Sequence, residues 1–276
     1  MRITTLVPLA LFSAAIACNE PSAPTGSQTT RPQFITNGVP TGSAFGAVGD
    51  LLFDFDGSGT IEGFETLCTG SLIAPTVFLT AGHCVLFPPD AQLYVSFDPA
   101  VLPGPPNVIA AESFHSHPAL FLGGPGIAKN DLGVVILPAG ATSGITPLQL
   151  PPAGLLDQLA AHGGLTEQLF LNVGYGVFAS SQGPPSFFFD GVRRVSKSRF
   201  KGLTPDWLDL LMSSSATGEG GQCFGDSGGP KFLDESPTMV VGVTSWSDAT
   251  CRGTGFAQRI DTPSARGFLG QFVSLP

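Results

Sequence analysis

A serine set among glycines, with four histidines upstream of it, gives this chain a candidate nucleophile and candidate bases. Ser227 lies in the segment Gly-Asp-Ser-Gly-Gly-Pro at 225–230. Glycines leave the backbone bare, so a substrate carbonyl can come close and amide N–H groups can converge on an oxyanion. A serine hydroxyl is a weak nucleophile until a neighbouring base, most often histidine, takes its proton. The pattern therefore indicates nucleophilic catalysis at Ser227.

The order of these residues along the chain separates two enzyme folds. Gly-x-Ser-x-Gly is also the nucleophile elbow of α/β-hydrolases, in which the catalytic histidine follows the serine. Here His83, His115, His117 and His162 all precede Ser227. The elbow interpretation therefore fails, and two orders stay open: an acid before the histidine, or an acid between histidine and serine.

The local context of the histidine and the serine favours the second order. The segments Thr-Ala-Gly-His-Cys at 80–84 and Gly-Asp-Ser-Gly-Gly-Pro at 225–230 resemble the signatures of the trypsin/chymotrypsin family of serine endopeptidases. Asn-Asp-Leu at 130–132 is similar to the segment that carries the family's aspartate. Gly-Tyr-Gly at 174–176 looks like the family's Gly-Trp-Gly, and Ser-Trp at 245–246 looks like its substrate-edge Ser-Trp.

The resemblance implies a role for each catalytic group. His83 would take the proton of Ser227, and Asp131 would hold the imidazole in the right tautomer and stabilise the imidazolium. The backbone N–H groups of Gly225 and Ser227 would form the oxyanion hole. The chain is therefore expected to hydrolyse peptide bonds through an acyl-enzyme. The alternative is a binding protein that keeps the protease fold without turnover.

The resemblance also places a specificity pocket and an activation site. Gly221 stands six residues before Ser227, where trypsin has its specificity aspartate, and Gln222, Ser247 and Gly255 fall at other pocket positions. This neutral set predicts cleavage after apolar residues rather than after Lys or Arg.

Ile-Thr-Asn-Gly at 35–38 resembles the family's new N-terminus, so the freed amine of Ile35 would pair with Asp226. Phe34 precedes Ile35 where a basic residue would be expected, and an unprocessed strand is the alternative.

The five cysteines allow two disulfides if the chain is exported to an oxidising compartment. An odd number in an exported chain needs an explanation, and setting Cys18 aside leaves four. Four cysteines allow three pairings, and the family resemblance implies Cys68–Cys84 and Cys223–Cys251. No Cys-x-x-Cys spacing occurs, so we predict no metal site on these cysteines.

The N-terminal segment has the features of an export signal. A basic start is followed by an apolar stretch from Leu6 to Ala17, which is too short to span a membrane. Small residues precede Cys18, as in bacterial lipoprotein signals, so we predict a signal peptide at 1–17 and lipidation of Cys18. An ordinary cleaved signal is the alternative. Residues 18–34 are rich in Ser, Thr, Pro and Gly, which predicts a flexible tether or propeptide before a protease domain at 35–276.

Composition and periodicity predict an all-β fold. The chain has 36 glycines and 25 prolines among 276 residues, and short apolar segments between these turn residues predict strands. These segments are 72–80, 93–95, 133–137, 170–177 and 239–246. Helical patterns occur only near 155–161 and 263–272, too few for alternating βαβ units. With the family resemblance, this predicts two antiparallel six-stranded β-barrels and a short C-terminal helix.

The charge balance excludes some ligands. A net charge of −9 without a basic run speaks against nucleic-acid binding. We expect an extracellular or outer-envelope monomer that acts on proteins or peptides, that contacts membrane only through lipid and that requires no cofactor.

Three further patterns have two interpretations each. Residues 54–65 fit the spacing of an EF-hand calcium loop but lack flanking helices, so a polar hairpin turn is favoured over a structural calcium site. The pair His115 and His117 has no evident third ligand, which favours a structural role over metal binding. Phe-Phe-Phe at 187–189 is expected to pack on a strand, with an exposed loop as the alternative.

Overall fold

The computed structural model describes residues 38–123, 128–179 and 184–276. The strands in chain order are β1 (Val39–Pro40), β2 (Val48–Phe53), β3 (Thr66–Ala74), β4 (Val77–Thr80), β5 (Leu93–Ser96), β6 (Ile109–Ala110), β7 (Ser113–Ser116), β8 (Gly133–Ile136), β9 (Leu169–Gly174), β10 (Phe178–Ala179), β11 (Phe187–Phe188), β12 (Arg194–Leu203), β13 (Trp207–Leu211), β14 (Pro230–Leu233), β15 (Ser236–Ser247) and β16 (Thr254–Arg259). The α-helices are α1 (Leu155–Ala161), α2 (Ser214–Thr217) and α3 (Pro263–Leu269), and 3-10 turns span Gly63–Glu65 and Gly82–Val85.

The first half of the fold is an open antiparallel sheet with the strand order β6-β5-β2-β3-β4-β8-β7. Its central strands are buried on both faces. All four residues of β4, for example, are buried, as expected for a strand covered on both sides. The segment predicted as one strand at 72–80 is two strands, β3 and β4, because the chain turns between Ala74 and Val77.

The second half is a closed barrel of six strands. The order is β12-β13-β16-β15-β14-β9, and pairing of β9 with β12 closes the ring. Strand β1 pairs with the first two residues of β12. Six residue pairs between β12 and β9 close the ring in antiparallel register, from Arg194 opposite Gly174 to Arg199 opposite Leu169. A closed ring leaves no edge strand open to aggregation.

The all-β prediction with a short C-terminal helix is confirmed, as is one six-stranded barrel. The first half differs in detail, because it is a half-barrel whose edge strands β6 and β7 do not pair with each other in the described part of the chain. The two-residue strand β6 and the four-residue strand β7 are joined by only two residues. Strands this short provide few ladder bonds with which to close a ring.

One apolar core continues from the half-barrel into the barrel. Leu51 and Phe78 belong to the same buried cluster as Val173 and Phe232 of the second sheet and Phe268 of α3. Helix α3 begins with Pro263 after Thr262, whose hydroxyl accepts a hydrogen bond from the amide of Ala265 at 3.3 Å, a normal N-cap. The catalytic candidates therefore lie between two halves with a common core.

None of the helices in the described ranges has the length and apolar character that crossing a membrane requires. The predicted signal peptide at 1–17, the tether at 18–34, the lipidation site Cys18 and the new N-terminus Ile35 lie outside the described residues.

Candidate active site

His83 is placed by the end of a buried strand and by a disulfide. β4 ends at Thr80, whose hydroxyl donates a 2.8 Å hydrogen bond to the carbonyl of Thr69 on β3. The chain then forms the 3-10 turn Gly82–Val85, which carries His83. Cys84 in the same turn is bonded to Cys68 on β3, the pairing that the family resemblance implied. The histidine is therefore fixed to the sheet on both sides.

Asp131 accepts two hydrogen bonds from His83. Its Oδ2 lies 2.8 Å from Nδ1 of the ring, and its Oδ1 accepts the backbone N–H of His83 at 2.9 Å. Asp131 is 1% exposed, whereas the side chain of His83 is 30% exposed. The buried carboxylate therefore orients an imidazole that is partly open to solvent.

Two residues of the barrel also hold this carboxylate. The hydroxyl of Ser245 donates to Oδ2 of Asp131, and the side-chain oxygen of Gln258 accepts the Asp131 amide at 3.2 Å. Burial alone would raise the pKa of Asp131, but hydrogen bonds and charge from His83, with the bond from Ser245, bring the pKa below its usual value. Asp131 therefore stays ionised in its buried position.

Ser227 is half-buried on the loop before β14. Its carbonyl accepts the amide of Thr69 at 2.8 Å, and its hydroxyl donates a long bond of 3.5 Å to the carbonyl of Ser245. Within the described ranges no hydrogen bond joins the Ser227 hydroxyl to His83. Catalytic hydrogen bonds are often loose without substrate, and rotation about one side-chain bond of Ser227 would redirect Oγ.

The amides of Gly225 and Ser227, predicted to form the oxyanion hole, are both available. The carbonyl of Phe224 accepts the amide of Val177 at 2.7 Å. Because the C=O and N–H of a trans peptide point in opposite directions, the N–H of Gly225 points away from Val177. Gly225 has φ +90°, a value that favours glycine. In the described part of the chain, neither the Gly225 nor the Ser227 amide donates to a protein acceptor.

The four predicted pocket residues lie together. Gly255 pairs with Ser247 across β16 and β15. The side-chain amide of Gln222 donates to the carbonyls of Trp246 and Phe256, at 2.7 and 3.2 Å. Gly221 precedes Gln222, and both are buried. The second predicted disulfide, Cys223–Cys251, joins the segments beside this pocket.

Sequence reasoning missed Met212, which faces two of the pocket glycines. A Cβ added to Gly221 would lie 2.2 Å from the Met212 sulfur, and a Cβ added to Gly255 would lie 2.8 Å from it. Met212 is fully buried directly after β13. Only the fold brings it to the pocket, so no motif could have identified it.

The predicted activation partner Asp226 is buried between Gly225 and Ser227. Its Oδ1 accepts the amide of Gly176 at 2.9 Å, and its Oδ2 accepts the amide of Cys223 at 2.8 Å. The pairing with Ile35 stays a prediction, because Ile35 lies outside the described residues.

The loop at 54–65 brings three carboxylates together without EF-hand helices. The oxygens of Asp54, Asp56 and Glu65 lie within 4.8 Å of one another. Each carboxylate also accepts backbone amides, among them the amide of Ser58, which contacts both aspartates at 3.1 and 2.9 Å. Such bonds are typical of a polar turn. The loop follows β2 and ends in the 3-10 turn Gly63–Glu65, directly before β3.

The pair His115 and His117 and the Phe-Phe-Phe segment at 187–189 are the two remaining sequence patterns. Nδ1 of His117 accepts the amide of Ala119 at 3.1 Å, and its ring packs on Phe268 at 5.1 Å. Among the described residues, no cluster of three possible metal ligands includes His115 or His117. Phe187 and Phe188 form the short strand β11 against β10 and are 39% and 53% exposed.

Comparison with known proteins agrees with this geometry. A family profile described as Trypsin matches residues 52–177 and 192–265. Spermosin of Halocynthia roretzi is 26% identical over 264 residues, which are 88% of this chain and 62% of spermosin, so the chain spans about three fifths of that relative's length.

Solved structures share the fold. HL collagenase has a TM-score of 0.61 at 23% identity, covering 86% of this chain and 97% of its own. Human heparin binding protein has a TM-score of 0.63 at 18% identity, covering 87% of this chain and 99% of its own. At such identities the likeness shows the fold alone. The profile match covers most of the chain, and the chain belongs to the trypsin family.

Proposed function

We propose that this chain is an exported serine endopeptidase that uses Ser227, His83 and Asp131. The observation that carries the proposal is the bond between His83 and the buried carboxylate of Asp131, at 2.8 Å. A carboxylate in this position fixes the tautomer in which Nε2 is free to accept a proton. The amides of Gly225 and Ser227, which have no acceptor within the described ranges, support the same function.

The proposed reaction has two stages. Ser227 Oγ attacks the scissile carbonyl carbon while its proton passes to Nε2 of His83, and the developing oxyanion takes hydrogen bonds from the amides of Gly225 and Ser227. The C–N bond then breaks as His83 gives the proton to the leaving amine, which leaves an acyl ester on Ser227. A water molecule hydrolyses the ester by the same steps, with His83 again as base and then acid.

The pocket supports a preference for apolar side chains. None of its four predicted residues, Gly221, Gln222, Ser247 and Gly255, carries a charge, and the thioether of Met212 lies behind the two glycines. A neutral, partly apolar pocket offers no partner for Lys or Arg, whose burial without a counter-charge is costly.

Export is part of the proposal. Cys68–Cys84 and Cys223–Cys251 are bonded, and disulfides persist in oxidising compartments outside the cytosol. The signal at 1–17 and the lipid at Cys18 are proposed on the sequence alone, as is the monomeric state.

The alternative function is a protease fold that binds without turnover. The bond from the Ser227 hydroxyl to the Ser245 carbonyl, rather than to His83, favours it. Human heparin binding protein has this fold, but a net charge of −9 does not favour a polyanion as ligand here.

Covalent labelling by a fluorophosphonate probe separates the two functions. The full chain should label, and its Ser227→Ala variant should not, because only an activated serine displaces fluoride from the probe. Ser43→Ala, at an exposed serine in the turn before β2, is the matched control. A folded chain that does not label would favour the binding protein.

A further inference from the structure

The loop that carries Ser227 is built around a buried negative charge. Asp226 is 2% exposed, and its two oxygens accept the amides of Gly176 and Cys223. These bonds fix the position of Asp226 and hence of the two amides beside it, those of Gly225 and Ser227. Burial raises the pKa of Asp226 above its usual value, because the carboxylate loses its hydration. A carboxylate in this position needs a positive partner.

Lys231, five residues further on, is a second buried charge. It lies on β14 with no exposed surface, and its Nζ has no hydrogen-bond partner among the described residues. Lysine is almost never fully buried unless it is paired. Burial lowers the pKa of Lys231, while the negative charge of Asp226 opposes that change. The proposed reaction makes no use of this lysine.

The register of the sheet puts the two charges on the same face. A Cβ added to Gly174 would lie 2.1 Å from Oδ1 of Asp226, so the carboxylate occupies the side that residue 174 faces. Asn172, two positions earlier on β9, faces the same side, and Lys231 is its cross-strand partner. Residues two apart on a strand are separated by only about 7 Å. The flexible four-carbon stem of lysine can cover that span.

The other nearby cation already has a partner. Arg194 lies opposite Gly174 on β12. Its guanidinium donates to both oxygens of Asp190, at 2.6 and 2.8 Å. The polar neighbour of Lys231, Asn172, is uncharged, and its side-chain oxygen has no hydrogen-bond partner among the described residues. Of these two cations, Lys231 is therefore the one whose charge is not already matched.

We propose that Lys231 is a positioning residue, the internal counter-ion of Asp226 that holds the Gly225 and Ser227 amides in place. Its ammonium occupies the electrostatic role that a freed Ile35 amine would otherwise have. The inference rests on the proposed function. With this internal counter-ion, the active site does not need cleavage before Ile35. This accords with the sequence, in which Phe34 and not a basic residue precedes Ile35.

The test compares two N-termini and two residues at position 231. Wild type and Lys231→Met are each prepared as the full chain and as a chain that begins at Ile35, and the intact mass of each sample verifies its N-terminus. The rate of fluorophosphonate labelling is measured from pH 6 to pH 9. Lys197→Met, at a half-exposed lysine paired with Asp234, is the matched control.

We expect the two wild-type forms to label at rates within about threefold of each other. The full-length Lys231→Met variant should label at least about tenfold more slowly, since loss of one oxyanion donor typically costs 10²–10³. Its remaining activity should shift to higher pH, because without the ammonium the carboxylate of Asp226 is harder to ionise. The Lys231→Met chain that begins at Ile35 should recover most of the wild-type rate.

Two results would overturn the proposal. One is a full-length Lys231→Met variant with the rate and pH profile of wild type. The other is a wild-type full chain that labels only after cleavage at Ile35. If the Met variant does not fold, Lys231→Gln takes its place, and if neither folds, the wild-type comparison decides alone. Failure of both wild-type forms to label would instead contradict the proposed function.

Discussion

Thr69 Oγ1 donates a hydrogen bond of 3.0 Å to the carbonyl of Gly225, 156 residues further along the chain. The same hydroxyl accepts the amide of Tyr175 at 3.1 Å, and the amide of Thr69 donates to the carbonyl of Ser227 at 2.8 Å. Thr69 lies on β3 of the half-barrel, whereas Gly225 and Ser227 lie on a loop of the closed barrel. One threonine thus fixes the loop that carries Ser227 to the sheet that carries His83.

Replacing Thr69 by valine should therefore slow catalysis without changing the fold. Valine keeps the shape but leaves the Gly225 carbonyl and the Tyr175 amide without their partner, at a cost of about 1–3 kcal/mol in the free energy of unfolding. We expect labelling of Ser227 to slow by about tenfold, because that energy also positions the loop. Urea denaturation and labelling kinetics measure both effects. Thr238→Val, at an exposed position of β15, is the control, and equal rates in the two variants would contradict the prediction.

Asp131→Asn should nearly abolish activity in a chain that still folds. The amide of asparagine would present N–H groups where His83 Nδ1 now meets a carboxylate oxygen, at 2.8 Å, so the imidazole would take the wrong tautomer. The expected loss in kcat is about 10⁴, as for the corresponding change in a well-studied triad. Amide hydrolysis with a Phe-containing peptide measures it.

The comparison variant for this prediction is Asp234→Asn, which changes a half-buried aspartate paired with Lys197. It should retain full activity. An Asp131→Asn variant with more than about a tenth of the wild-type kcat would show that Asp131 does not orient His83.

The residues proposed to do chemistry could be identified from the sequence, whereas the residues that support them could not. The motifs at 80–84 and 225–230 placed His83 and Ser227, and the disulfide Cys68–Cys84 followed from the family resemblance. Ser245, whose hydroxyl holds Asp131, was recognised only as part of a Ser-Trp motif. Its bond depends on the placement of β15 beside the segment that precedes β8, which no local pattern encodes.

The half-barrel also lay beyond sequence reasoning. Strand periodicity predicts the existence and faces of strands, but closure depends on the lengths of the edge strands. The two residues of β6 and the four of β7 had no distinctive pattern. Lys231 illustrates the same limit, because a lysine after Gly-Gly-Pro gives no sign of burial until the register with Asn172 is known.

Met212 should determine how large a side chain the pocket accepts. Its sulfur faces Gly221 and Gly255, so Met212→Ala would open space behind both glycines. We expect kcat/KM for Tyr- and Phe-containing amides to rise by about tenfold relative to Ala- and Val-containing amides. One extra methylene-sized space in an apolar pocket changes the ratio of kcat/KM values by about this factor. The substitution should also cost about 2–5 kcal/mol of stability, because Met212 is fully buried.

A panel of amides that differ only in the residue before the scissile bond measures this preference. Leu208→Ala, at a fully buried position on β13, is the control for loss of stability alone. If the two variants have the same preference as wild type, Met212 does not shape the pocket. Faster hydrolysis of Arg-containing than of Phe-containing amides by wild type would contradict the neutral pocket as a whole.

Loss of the Cys68–Cys84 disulfide should destabilise the fold and slow catalysis together. The bridge closes a loop with a sequence separation of 16, for which the chain-entropy contribution is about 3 kcal/mol. Cys84 adjoins His83, so its loss also frees the turn that carries His83. A Cys68→Ala/Cys84→Ala double variant should unfold at lower urea concentration and label more slowly, whereas unchanged labelling would show that β4 alone positions His83.

His117 should make stability depend on pH. Burial lowers its pKa below the usual value of about 6.5, since the charged ring would lose hydration beside Phe268. Above that pH His117 is neutral in both folded and unfolded chains. As the pH falls toward 5 the unfolded chain gains a proton first, so stability is lost on acidification. His117→Gln should therefore lose less stability than wild type between pH 7.5 and pH 5 in urea denaturation. His115→Gln, at the exposed neighbour, is the control, and an equal loss in wild type and His117→Gln would contradict the prediction.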